Sequence, residues 1–123
     1  MSLSNAEELI MEVIWKHGPV FLKDLVALLP EPRPAVTTVA TLLARMQKKQ
    51  YVGFQSFGNS RQYYALVPKE AYSKKAVASL VERLFDKSPL QLASFFTASG
   101  NLSVQELEAM KQLIESEIAK RKQ

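Results

Sequence analysis

Up to about residue 50 the apolar residues of this chain recur every three or four positions, and from Tyr51 onward they alternate. The runs YVGFQSF (51–57) and RQYYALV (61–67) are short, aromatic and β-branched, and GNS separates them. Together they predict a β-hairpin with a Gly-Asn tip. After Pro68 the helical spacing returns and persists to the end. A hairpin set between helical segments is the feature that any fold for these 123 residues must accommodate.

Three helices are predicted ahead of the hairpin. Ser4 and Glu7 carry the signature of a capping box, in which each side chain accepts from a backbone N–H left free at a helix start. Leu9, Ile10, Val13 and Ile14 follow at helical spacing and Gly18-Pro19 ends the run, giving a first helix from Asn5 to Lys16. A second runs from Leu22 to Leu29 with Leu22, Leu25, Val26 and Leu29 on one side, closed by Pro30, Pro32 and Pro34. The third is PAVTTVATLLARMQKK, residues 34–49. Three helices and then a hairpin is the order of a winged helix-turn-helix. The expected class is therefore mainly α with a small β-hairpin wing, and a first domain spanning 1–68.

The third helix divides sharply when its residues are placed at 100° intervals. Val36, Val39, Leu42, Leu43 and Met46 share one arc, the expected core face. Thr37, Thr41, Ala44 and Lys48 lie opposite, flanked by Thr38 and Arg45. The net charge of +4 is modest, but between Glu31 and Glu70 the six charged residues (Arg33, Arg45, Lys48, Lys49, Arg61 and Lys69) are all basic. Short polar side chains permit close approach to base edges in a major groove, and Arg and Lys reach phosphates. Thr37, Thr38 and Thr41 are thus candidate base-edge contacts, Arg45, Lys48 and Lys49 candidate phosphate contacts, and Arg61 a candidate wing contact. A solvated polar face is the competing reading of the same helix.

Residues 69–123 read as helix throughout. Val77, Leu80, Val81 and Leu84 lie on a broad apolar face, Phe95 and Phe96 belong to a short apolar helix, and Met110 and Ile114 belong to the stripe of a last helix opened by a second capping box at Ser103 and Glu106. Helices with three such faces bury them poorly alone, so a partner chain, in the usual case a second copy, is expected to cover them. This second domain is read as a helical dimerisation region.

Other function classes find little support. The chain has one His, no Cys and four Gly, with no Gly-rich phosphate loop and no paired acids suited to a cleft, so neither an enzyme nor a metal or cofactor site is expected. No apolar run approaches the roughly 18–20 residues of a membrane span and the N-terminus does not have the layout of a secretory signal, so a cytoplasmic protein is expected. A winged-helix module that binds protein rather than DNA stays open as an alternative, since fold does not dictate function.

Thr38–Lys49 (TVATLLARMQKK), Trp15-Lys16 and Gln62–Val67 (QYYALV) resemble the penicillinase repressor family, the BlaI/MecI type, and the likeness extends weakly through Leu102–Leu107. The resemblance implies a homodimeric transcriptional repressor whose winged helix binds a palindromic operator on double-stranded DNA and whose C-terminal helices interlock. Thr38, Thr41, Arg45, Lys48 and Lys49 sit where that family's recognition helix meets DNA. It further implies relief by a membrane-bound sensor protease that cuts ahead of the last helix. Two positions depart from the pattern. Gln50 stands where the family places Gly, which leaves open a different exit from the third helix. Phe95-Phe96 occupies the slot of the family's Asn-Phe cleavage bond, and the same pair is a candidate for the dimer core.

Overall fold

The computed structural model describes residues 2–123. Its elements follow in the order α1 (Asn5–His17), β1 (Val20–Phe21), α2 (Leu22–Leu28), α3 (Val36–Lys48), β2 (Val52–Phe57), β3 (Ser60–Ala65), α4 (Lys69–Leu84), α5 (Pro89–Ser99) and α6 (Val104–Arg121). Six helices and one small antiparallel sheet make it mainly α. The chain divides into one compact unit that ends at Lys74 and a second, Lys75–Gln123, with the division falling inside α4.

In the first unit the expected hairpin forms with Val52 opposite Ala65 and Phe57 opposite Ser60. Gly58 alone at its tip takes a positive φ, 62°, as the first central residue of a II′ turn must. The sheet also has a third strand that the sequence pattern does not reveal. β1 is two residues long and pairs with β3 through Val20–Tyr63 and Phe21–Gln62, giving the order β1-β3-β2. Too short to show a period of its own, it fastens the turn after α1 to the wing.

The core is built where the two periods meet. Ile10, Met11 and Ile14 of α1, Leu25 of α2, Val39, Leu43 and Met46 of α3 and Val52 of β2 are all at most 2% exposed. Burying one such side chain contributes about 1.5–3 kcal/mol, which is why α3 shows its polar side to solvent and not the reverse. The expected apolar stripes need two corrections. Leu9 is 47% exposed, and Met11 takes its place in the core. Val36, at the first turn of α3, is 48% exposed because the helix starts beyond the edge of the elements that cover its remaining apolar residues.

The chain leaves α3 through a Schellman turn, in which the Tyr51 N–H donates to Met46 O at 2.9 Å and the Gln50 N–H to Gln47 O at 3.0 Å. Gln50 therefore has φ 70°, the left-handed position that glycine favours. The exit is the ordinary glycine-type one, formed here by a residue with a side chain.

After the wing, the chain is fastened back to α1. Trp15 Nε1 donates to Val67 O at 2.8 Å, Lys69 Nζ pairs with Glu12 at 3.0 Å, and the Tyr72 hydroxyl donates to Glu8. The Tyr72 ring packs against Trp15 and Tyr51 at centroid distances of 5.6 and 5.9 Å. Burial, helped by the Glu8 carboxylate, pushes the Tyr72 phenol up to about 12.

The second unit is of a different kind. No residue of α4, α5 or α6 is buried, although Phe85 and Phe95 pack at 5.5 Å. Ser103 and Glu106 close the expected capping box at the start of α6.

Candidate nucleic-acid interface

The outward face of α3 is polar and exposed. Thr37, Thr38, Thr41, Ala44, Arg45 and Lys48 are all exposed, whereas Val39, Leu43 and Met46 on the other side are fully buried. The residue before the helix is Ala35, which makes no side-chain cap, and no acid lies in the first turn. The first N–H groups of α3 are thus left without a side-chain acceptor, an arrangement suited to an anionic oxygen. The Thr41 hydroxyl donates to the Thr37 carbonyl at 3.0 Å.

The six basic residues of the middle third fall into two groups. Arg33 is paired with Glu31 at 3.1 Å and donates through Nε to Leu29 O, Lys69 is paired with Glu12, and Lys49 is paired with Glu7. Arg45, Lys48 and Arg61 have no carboxylate partner among the described residues. Arg61, exposed on the wing, lies with its guanidinium 4.2 Å from the centre of the Phe54 ring, a cation–π contact.

Lys49, expected among the phosphate contacts, is the one cation of that set with a carboxylate partner among the described residues. Its ammonium donates to both oxygens of Glu7, at 3.0 and 3.3 Å, and to Ser2 O at 3.3 Å. Glu7 is 2% exposed and also accepts from the Ser4 N–H at 2.8 Å in the capping box of α1. Burial alone would push that carboxyl up; the Ser4 and Lys49 hydrogen bonds and the Lys49 charge outweigh it and hold the group below its ordinary value. Removing the Lys49 ammonium from this site would strand a buried carboxylate, so the side chain belongs to the joint between α1 and α3. Helical spacing puts Lys49 beside Lys48 but says nothing of Glu7, which lies 42 residues away.

The residues expected at a dimer interface are gathered in the second unit. Val77, Leu84, Phe95, Phe96 and Ile114 are between 48 and 64% exposed, and Leu80, Val81 and Met110 are half-buried. Leu107, Met110 and Ile114 of α6 line, with Thr97 of α5, a groove of about 550 Å³. Phe95-Phe96 lies in the interior of α5 with helical backbone, whereas 100–103 is the non-helical linker to α6.

The penicillinase repressor family profile matches residues 3–116, most of both units. The chain belongs to the penicillinase repressor family. A protein of Latilactobacillus sakei, described as an uncharacterized 16.5 kDa protein in the ptsI 3′ region, is 27% identical over 118 residues, 95% of this chain and 81% of that one. The penicillinase repressor of Bacillus licheniformis is 23% identical over 98% of this chain and 95% of its own length. The methicillin resistance regulatory protein MecI of Mammaliicoccus sciuri is 22% identical over 91% of this chain and 92% of its own. A crystal structure of a MarR-like transcription regulator from Bacillus cereus covers 93% of this chain and 74% of its own, with TM-score 0.50 and 18% identity, a likeness of fold. Family and fold together make this chain a winged-helix transcriptional regulator. No helix of the described residues is long and apolar enough to cross a membrane.

Proposed function

We propose that this family member is a sequence-specific repressor that binds a palindromic operator as a homodimer, with one α3 in the major groove of each half-site. The observation that carries the reading is the outer face of α3, where short polar side chains and two cations without carboxylate partners, Arg45 and Lys48, back onto a fully buried apolar face. Thr37, Thr38 and Thr41 meet base edges, Arg45 and Lys48 meet phosphates, and Arg61 touches the backbone or minor groove from the wing. Residues 1–68 form the DNA-binding domain and 69–123 the dimerisation domain. The exposed apolar residues of α4, α5 and α6, among them Val77, Leu84, Phe95, Phe96 and Ile114, are covered by a second copy of the chain.

Relief of repression by a membrane-bound sensor protease fits this architecture at the 100–103 linker, where a cut would detach α6 from the dimer. A half-site bound by a lone winged domain keeps only part of the contacts, so operator occupancy falls by mass action.

Fluorescence anisotropy on a promoter fragment and on random duplex, each over a range of salt, tests the reading. Wild-type protein prefers the promoter fragment. Lys48→Ala weakens both duplexes alike and lowers the slope of log K against log salt by about 2, one for each protomer of the dimer. Equal affinity of the wild-type protein for promoter and random DNA refutes it.

A further inference from the structure

The bond from Thr41 to the Thr37 carbonyl bears on which base pair α3 reads, an inference that rests on α3 entering the major groove. At 3.0 Å that hydrogen bond uses the one proton the Thr41 side chain carries. What remains facing outward is an oxygen able only to accept, with a methyl group beside it. Thr37 and Thr38 differ: both are exposed, and neither hydroxyl has a partner among the described residues, so each can still donate. Arg45, one turn beyond Thr41, has unpaired donors. Donor chemistry is therefore available before and after Thr41 on this face but not at Thr41 itself.

We infer that Thr41 specifies an A·T pair in each half-site, its oxygen accepting from the adenine 6-amino group and its methyl packing on the thymine 5-methyl. Only the A·T pair presents an amino donor and a methyl group together in the major groove. A G·C pair offers the cytosine amino group without a methyl, and its guanine presents two acceptors that repel an oxygen with no proton to give.

The test starts from a randomised duplex pool selected with the wild-type protein, and then finds the position whose preference Thr41→Ala erases. At that position thymine is replaced by uracil, which lacks the methyl, and separately adenine by purine, which lacks the amino group. Each replacement weakens wild-type binding about threefold to tenfold. Thr41→Ser keeps the hydroxyl and drops the methyl, so the uracil replacement becomes silent for it. Thr41→Val keeps a methyl and drops the oxygen, so the purine replacement becomes silent instead. Thr41 is exposed, and circular dichroism of each variant verifies that the fold is kept.

A selected operator in which no position responds to Thr41→Ala, in which the responding base is guanine, or in which both replacements are silent for the wild-type protein overturns the assignment and leaves specific DNA binding standing. Failure of the wild-type protein to enrich any sequence overturns both.

Discussion

Lys49→Met separates two roles that a lysine at the end of a recognition helix can play. If the ammonium serves the fold, the substitution leaves Glu7 buried with its Ser4 hydrogen bond and no cation. A hydrogen bond to a charged group contributes about 1.5–3 kcal/mol, and breaking a fully buried pair costs about 3–5 kcal/mol. Glu7 is almost fully buried but the Lys49 side chain is 25% exposed, so water compensates part of the loss and about 2 kcal/mol is expected. At a urea slope of about 1–2 kcal/mol/M the unfolding midpoint falls by about 1–2 M. The pH dependence follows from the same pair. The folded-state value of Glu7 lies below the ordinary 4.5, so the stability that the carboxylate contributes is complete above that value and is lost as the pH falls through the folded one. Without Lys49 the burial effect gains weight, the folded value rises, and the loss begins at higher pH. Urea titrations of wild type, Lys49→Met, Glu7→Gln and the double variant between pH 3 and 7 measure all of this, and the double variant recovers part of the loss because no buried charge remains. In DNA titrations within the folded range, Lys49→Met keeps the wild-type salt slope. Unchanged stability together with a slope lowered by about 2, one for each protomer of the dimer, would show Lys49 to be a phosphate contact and refute the structural role.

Three further outcomes are expected. Gln50→Gly raises stability by about 0.5–1 kcal/mol, the left-handed strain of a residue with a side chain less the extra entropy glycine loses on folding, and a thermal melt reads it as a rise of a few degrees. Ile114→Glu, at a site 56% exposed in the single chain, leaves the helices folded by circular dichroism but gives monomers in sedimentation and removes operator binding at concentrations where the wild type is bound; operator binding by such a monomer would contradict the dimer reading. Limited proteolysis by a broad-specificity enzyme cuts first within 100–103 and not at Phe95–Phe96, because the linker is extended and exposed or half-exposed while α5 is helical; mass spectrometry of the fragments locates the cut, and an early cut at Phe95–Phe96 would mean that α5 opens readily.

Much of this architecture is legible without coordinates because its signals are local. The two capping boxes, the change of period at Tyr51 and the Gly-Asn tip each act over a few residues, and each appears in the structure within one or two positions of where the pattern puts it. β1 escaped because two residues carry no periodicity, and its partners Tyr63 and Gln62 lie some forty residues further on. Leu9 and Val36 mark a related limit: helical spacing tells which residues share a face, but the extent of the elements covering that face decides which of them are buried. Tyr72 is another case. It follows Pro68 and so joins the C-terminal helices by pattern, yet its ring packs on Trp15 and Tyr51 of the winged unit.

The candidate interface was legible in its face and not in its charges. Six basic residues in an acid-free segment look equivalent when only neighbours in sequence are considered. Their partners come from outside the segment: Glu7 and Glu12 from α1 and Glu31 from its edge pair with Lys49, Lys69 and Arg33, leaving Arg45, Lys48 and Arg61 without a carboxylate among the described residues. α1 therefore contributes to the character of the proposed DNA-binding surface without lying on it. By drawing Lys49 down to Glu7 it fixes the end of α3 against the first helix, and by leaving Lys48 alone it keeps one unneutralised charge where that helix ends. A substitution in α1 at Glu7 is thus expected to change DNA binding through the charge it returns to Lys49, an effect that the identity of the recognition-helix residues alone does not foretell.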